Sequence, residues 1–430
     1  MERLIFMLKK RFLLLFLVFL LTGCGYKKDN EINNSITNDE KENINGTDEI
    51  MREEKEPIDD KINSMTLDEK IGQMIITGFN GSEYNDDMDR LINEYKVGGV
   101  ILFARNIEDS NQMIDLTRAL QENNNNLPLF ISIDEEGGRV SRLPDDVEKF
   151  PSAFTIGLIN DQQTAYENGK EIGYTLKRLG INLDYAPVLD IYSNENNTVI
   201  GDRAFSTEES IVSTMGIATM EGIEDADIIP VVKHFPGHGD TEVDSHYGLP
   251  IVYKTLEELR NFEFIPFVKA IESGCDVIMV SHIILNEVDS SNPASLSKIV
   301  ISDLLRKDLE FDKVVITDDM SMGAITSIMS IEEACIKSIE AGCDILLLGN
   351  AYEEIEQVIN SIKLKLYNGE ISEEQINKSV KRILELKKKY NMMEWFDGKK
   401  SSNIWYGWGN FWYGKSVFRY LDRSFWKVWL

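Results

Sequence analysis

A (β/α)8 barrel is the fold class this sequence predicts, and three observations predict it. Eight short apolar runs recur after residue 64. Stretches with helical apolar spacing separate them. Carboxylates, basic residues and histidines gather just past the runs, where parallel barrels carry their chemistry. The runs are residues 73–79, 98–103, 127–133, 181–189, 228–232, 276–280, 313–316 and 344–348. Bounded apolar runs of this kind suit strands buried on both faces. Between them, 87–95, 111–123, 164–179 and 331–341 read as amphipathic helices. Strand alternating with helix implies a parallel sheet covered by helices. A doubly wound open sheet is the alternative. No G-x-G-x-x-G follows the first run, so a dinucleotide crevice has no support.

The chain on either side of the barrel has a different texture. Lys9, Lys10 and Arg11 precede a wholly apolar run at 12–21, followed by Leu21-Thr22-Gly23-Cys24. A basic segment, a short apolar core and small residues before a cysteine read as a secretion signal. This one resembles a bacterial lipobox, which implies cleavage before Cys24 and a lipid on its sulfur. The apolar run is short for a membrane span, although an uncleaved anchor is the other reading. Either places the bulk of the chain outside the cell membrane. Residues 25–60 are mostly Asn, Asp, Glu, Lys and Ser, too polar to offset their own ordering entropy, and read as a flexible tether. The expected division is a signal peptide at 1–23, a tether at 24–60, the barrel at 61–392 and an atypical tail at 393–430. All six tryptophans fall in that tail, between Trp395 and Trp429, among other aromatic and basic residues without a clean period. A membrane- or wall-contacting segment is one reading. The favoured one is that the tail is not native design, as after a shifted reading frame or the truncation of a further domain.

The net charge of −28 argues against nucleic acid, which requires a basic face. Cys275 and Cys343 each follow a glycine and open an apolar run, as small buried residues do. With Cys335 they make an odd set without C-x-x-C spacing, against a disulfide framework or a zinc knuckle.

The densest chemistry lies in Lys233-His234-Phe235-Pro236-Gly237-His238-Gly239-Asp240-Thr241, followed by Asp244-Ser245-His246. This stretch holds three of the chain's four histidines. Pro236, Gly237 and Gly239 oppose a helix, so the histidines are expected on a loop. Asp244 and His246, one residue apart, can lie on one side of an extended segment, where the carboxylate would raise the imidazole pKa and make it a proton donor near neutrality. After the third run comes Asp134-Glu135-Glu136-Gly137-Gly138-Arg139-Val140-Ser141-Arg142. There Asp134 could accept sugar hydroxyls, Arg142 could fix an acceptor group, and the two glycines would allow a tight turn and close ligand approach. Arg203 lies in Gly201-Asp202-Arg203-Ala204-Phe205. After the seventh run comes Thr317-Asp318-Asp319, with Asp318 the better nucleophile and Asp319 expected to pair with backbone or a basic group. A carboxylate at one strand tip and an acid/base on a facing loop are what displacement at an acetal carbon requires. His234, His238 and His246 with Asp244 could instead hold a metal, but H-x-x-x-H suits zinc on a helix and Pro236 and Gly237 oppose one.

Taken together these motifs resemble the bacterial β-N-acetylhexosaminidases of glycoside hydrolase family 3. The resemblance rests on Lys-His-Phe-Pro-Gly-His-Gly-Asp-Thr with Asp-Ser-His, Asp-Glu-Glu-Gly-Gly-Arg-Val-x-Arg-Leu, Gly-Asp-Arg-Ala-Phe and Val-Val-Ile-Thr-Asp-Asp-Met. It covers roughly residues 65–390. It implies a retaining two-step mechanism with Asp318 as nucleophile, His246 as acid/base and Asp244 as its partner. Sugar-binding roles fall on Asp134, Arg142, Arg203, Lys233 and His234. The implied substrate is terminal β-linked N-acetylglucosamine on cell-wall fragments, with no metal or organic cofactor. Phosphate as an acceptor beside water is conceivable, since a histidine repels an anion less than a carboxylate does. A β-glucosidase or β-xylosidase of the same family is the nearest alternative, against which the Asp244–His246 pair argues. A wall-sugar-binding lipoprotein without turnover is another. A monomer, held to the membrane by the Cys24 lipid, is expected. Residues 309–313 replace the glycines usual before the nucleophile strand, and larger relatives carry a second domain where the tail begins.

Overall fold

The computed structural model describes residues 58–241 and 248–395. Cys24, Asp244, His246 and most of the aromatic tail lie outside the described residues. Eight parallel strands close a barrel. In chain order they are β1 (Ile75–Thr77), β2 (Gly99–Ile101), β3 (Phe130–Ile133), β4 (Leu183–Asp184), β5 (Ile229–Phe235), β6 (Val277–Val280), β7 (Val314–Asp319) and β8 (Ile345–Leu348). Each pairs with its sequence neighbours, and β1 closes on β8 with Ile75 opposite Leu346 and Thr77 opposite Leu348. Every one of the eight predicted runs overlaps a barrel strand, and burial on both faces explains why they read as unbroken apolar runs. Ile251–Val252 and Ile284–Leu285 form a separate small parallel ribbon.

Two strands run further than the apolar pattern. β5 continues through Lys233 and His234 to Phe235, so these two residues sit on a strand and not on the loop expected for them. Polar side chains facing the barrel mouth interrupt apolarity without ending the strand. β7 likewise includes Asp318 and Asp319 in its last two positions. The helices at 111–123, 164–179 and 331–341 emerge as Ser110–Glu122, Gln162–Arg178 and Ile331–Ala341. That at 87–95 becomes Asp86–Asp89 running into Arg90–Glu94, where the Tyr95 N–H donates to the Arg90 carbonyl and widens the last turn. Described elements begin with the helix Ile58–Ser64 and end with a turn at Met392–Trp395, slightly outside the expected 61–392. Cys275, Cys335 and Cys343 are all buried and free.

The last long helix, Glu373–Lys389, lies across the end of the barrel where the strands begin. It is acidic in its first turn and basic in its last, and Ser372 caps it, as the helix dipole favours. Arg382 Nη1 meets Asp344 Oδ1 at 3.0 Å and Lys389 Nζ meets Asp276 Oδ2 at 2.5 Å, just before β8 and β6. Lys387 is fully buried. Its ammonium donates to Gln73 Oε1 (2.6 Å) and the Gly98 carbonyl (3.1 Å), and lies 4.6 Å from the Phe130 ring centre. This helix forms the floor of the barrel, leaving the opposite end for chemistry.

Candidate functional site

The open end of the barrel gathers side chains from β3, β5 and β7. The register of β5 against β6 slips between Val232 and Phe235. Such an irregularity re-aims side chains and interrupts strict alternation. Lys233 and His234, adjacent in sequence, both have partners among the site's charged residues. Lys233 Nζ lies 2.7 Å from Asp134 Oδ1 and 2.6 Å from Glu136 Oε1. Glu136 also takes a two-pronged bond from Arg203, with Nε to Oε2 at 2.8 Å and Nη2 to Oε1 at 2.9 Å. The Lys233 and Glu136 side chains are 2% and 3% exposed, so these charges are desolvated and depend on one another. Burial raises the Glu136 carboxyl, but Arg203 and Lys233 outweigh it and hold it well below the ordinary carboxylate value. Burial likewise lowers the Lys233 ammonium, while Asp134 and Glu136 more than restore it.

A second chain of contacts starts at Asp190, which is fully buried. Its Oδ2 accepts His234 Nδ1 at 2.6 Å, and its Oδ1 accepts the amides of His234 (3.3 Å) and His238 (2.6 Å). In the neutral ring this places the proton on Nδ1 and leaves Nε2 to accept from Arg203 Nη2, 3.3 Å away. Burial raises Asp190, and His234 and His238 bring it below the ordinary value. His238 hydrogen-bonds through Nδ1 to Thr241 Oγ1 at 2.9 Å, and burial pushes its pKa down to about 4. Among the described residues no group of three His, Cys, Asp or Glu is placed to hold a metal ion.

The turn after β3 is built by its own backbone. Gly137 and Gly138 have φ of 75° and 58°, the left-handed region that favours glycine. A Cβ on Gly137 would lie 2.3 Å from the Pro151 carbonyl oxygen, and one on Gly138 2.6 Å from Ser152 Cβ. The close approach expected here is thus to the chain's own 150–152 segment. Glu135 turns inward, where its Oε2 accepts the Arg142 amide at 3.0 Å and its own amide donates to Asp184 Oδ1 at 2.9 Å. Burial pushes both of these carboxyls up, Asp184 well above the ordinary value, and Glu135 Oε1 and Asp184 Oδ2 have no hydrogen-bond partner among the described residues. The Arg142 guanidinium is half-buried and pairs with no acid among the described residues.

Asp318 is half-buried at the end of β7. Its Oδ1 accepts the Asp319 amide at 2.8 Å. Burial raises it, while His282, His234, that amide and Lys233 hold it below the ordinary value, so it is ionised at neutral pH. Asp319 pairs mainly with backbone: its Oδ1 accepts the amides of Ser321 (3.0 Å) and Gly349 (2.9 Å). A Cβ on Gly349 would lie 2.6 Å from Asp319 Oδ2, so only glycine permits this approach.

The structure therefore brings Asp134, Lys233, Arg203 and His234 into one network with electrostatic reach to Asp318. Arg142 is on the same turn as Asp134. Asp244 and His246, expected as the acid/base pair, lie outside the described residues, between Thr241 and Gly248. Sequence reasoning assigned no role to Glu136, Asp190 or His282. The strand-tip criterion that selected Asp134 and Asp318 applies also to Asp190, beyond the fourth run, and His282, beyond the sixth. Chemically the site offers an ionised carboxylate opposite a rigid set of hydrogen-bonding groups, an arrangement suited to a polyhydroxylated ligand.

Comparison with known proteins agrees with this architecture. Residues 66–386 match the Glycosyl hydrolase family 3 N terminal domain. Beta-hexosaminidase A of Pseudoalteromonas piscicida is 36% identical over 329 residues, which is 70% of this chain and 55% of that protein. Beta-hexosaminidase of Thiobacillus denitrificans is 36% identical over 285 residues, 65% of this chain and 79% of its own. A solved glycoside hydrolase family 3 beta-N-acetylglucosaminidase from Paenibacillus superposes with a TM-score of 0.75 at 40% identity, covering 76% of this chain and 63% of that one. The match thus spans little more than half of the Pseudoalteromonas protein.

Proposed function

The chain belongs to glycoside hydrolase family 3, and from that premise we propose that it is an exo-acting retaining glycosidase. It removes terminal β-linked N-acetylglucosamine, with peptidoglycan fragments as the natural source. The observation that carries the reading is Asp318, ionised and half-buried at the tip of β7, with one carboxylate oxygen held by the Asp319 amide. In the first step Asp318 attacks the anomeric carbon, the bond to the leaving oxygen breaks, and His246 gives that oxygen its proton. In the second step His246 takes a proton from water, which attacks the same carbon and releases Asp318. Asp244 orients His246. Asp134, held by Lys233, is a fixed acceptor for sugar hydroxyls, and Arg142, Arg203 and His234 complete the grip. Cys24 carries a lipid that keeps the enzyme on the outer face of the cell membrane.

Release of p-nitrophenol from its β-N-acetylglucosaminide, with the β-glucoside run beside it, tests the reading on the full chain. Strong preference for the N-acetyl sugar is expected. Preference for the glucoside would move the assignment to a β-glucosidase. Binding of wall fragments without turnover of either substrate would leave a sugar-binding lipoprotein. Asp318→Ala abolishes turnover, and His246→Ala slows substrates with poor leaving groups most, because activated ones need little protonation.

A further inference from the structure

We propose that His282, just beyond β6, is a positioning residue that fixes the nucleophile from below by clamping the peptide on its C-terminal side. The inference rests on Asp318 being the nucleophile. His282 and Ser295 are both fully buried. His282 Nδ1 lies 2.7 Å from Ser295 Oγ, and Nε2 lies 3.0 Å from the Asp319 carbonyl oxygen. A carbonyl can only accept, so Nε2 carries the proton and Nδ1 accepts from the serine hydroxyl. One neutral tautomer satisfies both nitrogens, and burial, which lowers the imidazole pKa, keeps the ring in that form. Ser295 is itself anchored, its amide donating to the Ser281 carbonyl at 3.1 Å and its own carbonyl accepting Ser338 Oγ at 3.0 Å.

The consequence falls on Asp319. Its carbonyl is held by His282 from the β6 side. From the β8 side, the next amide, Met320, donates to the Leu347 carbonyl at 2.9 Å, and the Asp319 carboxylate accepts Gly349 N–H at 2.9 Å. With Asp319 fixed from both sides, its own amide is aimed at Asp318 Oδ1. Asp318 Oδ2 accepts no hydrogen bond among the described residues and is left to attack. A near-attack geometry of this kind is sensitive to displacements of about 1 Å, which can cost on the order of 100-fold in rate.

Other groups also face Asp318, namely Lys233 and His234 on β5, His238 beyond it and Asp319 on its own strand, so the test isolates His282 by chemistry. His282→Leu removes the donor, whereas in His282→Gln an amide nitrogen replaces Nε2. On the full chain, with activated and poor aryl β-N-acetylglucosaminides, His282→Leu should lose about 10- to 100-fold in kcat on both, with KM changed by no more than about threefold. The acid limb of kcat/KM should move to higher pH, because without the clamp the Asp319 amide is no longer aimed at Asp318 Oδ1, and that hydrogen bond favours the ionised carboxylate. His282→Gln should recover most of the rate and restore the limb. A folded His282→Leu enzyme, checked by thermal unfolding, with kcat within twofold of the parent overturns the proposal. So does a loss that glutamine does not relieve and that leaves the acid limb unmoved, since simple packing would act that way. Asp318→Ala with added azide tests the premise separately. Azide-dependent turnover to a glycosyl azide supports Asp318 as nucleophile, and full activity of Asp318→Ala without azide removes the premise along with the inference.

Discussion

Replacing Glu136 by glutamine strands one buried cation, Arg203. In the parent the four charges of Asp134, Glu136, Lys233 and Arg203 sum to zero within hydrogen-bonding distance of one another. The substitution preserves shape but leaves one net positive charge in a region where the Arg203 side chain is 12% and the Lys233 side chain 2% exposed. Lys233 keeps Asp134, while Arg203 keeps the Val199 carbonyl, His234 and at best one neutral amide oxygen in place of the two-pronged carboxylate. Removing one partner of a buried ion pair costs about 3–5 kcal/mol. Glu136→Gln should therefore lower unfolding free energy by that amount at pH 7, measured by urea denaturation with an unchanged m-value. Arg203→Met in the same chain removes the stranded cation, so the double variant should be less destabilised than the sum of the singles, by about 1–3 kcal/mol. The carboxyl is depressed below its ordinary 4.5 in the folded protein. Its contribution is therefore complete above that pH and is lost as pH falls toward the folded value, so parent and variant should converge in acid. A cost under about 1 kcal/mol, or strict additivity with Arg203→Met, would refute the reasoning.

Three further outcomes are expected. Asp190→Asn places an amide against the His234 Nδ1 proton and disfavours the tautomer that accepts from Arg203. Activity should fall about 10- to 100-fold, with about 1.5–3 kcal/mol of stability lost along with the buried charge-assisted bond, and an unaffected kcat/KM would remove Asp190 from the site's support. Lys387 is pushed down by burial from 10.5 to about 7, so folding disfavours its charged form. The penalty is full below the folded value and fades as pH rises toward 10.5, from ~4 kcal/mol at pH 7 to ~2 kcal/mol at pH 9; its hydrogen bonds and the Phe130 ring favour the charge and make these upper bounds. Relative to Lys387→Met, the parent should gain stability between pH 7 and 9, and a constant difference would show that the lysine stays charged. Gly349→Ala must push Asp319 aside and should lower kcat more than binding of free N-acetylglucosamine; equal losses in both would indicate general damage.

The barrel was legible in the sequence because strands buried on both faces leave unbroken apolar runs, and a parallel barrel puts its polar side chains just past them. Asp134 and Asp318 stand out for that reason. The extension of β5 through Lys233 and His234 was not legible, since a register slip aims polar side chains at the mouth and mimics the end of a strand. Glu136 and Asp190 were hidden for a different reason. Their importance lies in partners 67 and 44 residues away in the chain, Arg203 and His234, and pairing at that range leaves no periodic trace. His282 was hidden by its small visible role, one buried ring between a serine and a carbonyl. Lys387 read as one more lysine in a basic helix end, and only the floor of the barrel gives it a reason to be buried.

The closure of β1 on β8 has a consequence for biosynthesis. Ile75 and Leu346 are 271 residues apart in the chain (346 − 75), and the floor helix that buries Lys387 comes later still. At synthesis rates of about 5–20 residues per second, the first strand waits roughly 15–50 s for its partner. Throughout that interval its edge and the underside of the sheet are uncovered, so the domain cannot complete itself from its N-terminal part. A barrel that stays open until the floor helix is made remains threadable, which is compatible with the export proposed for it. The same delay makes the nascent polypeptide dependent on whatever shields apolar strands before release.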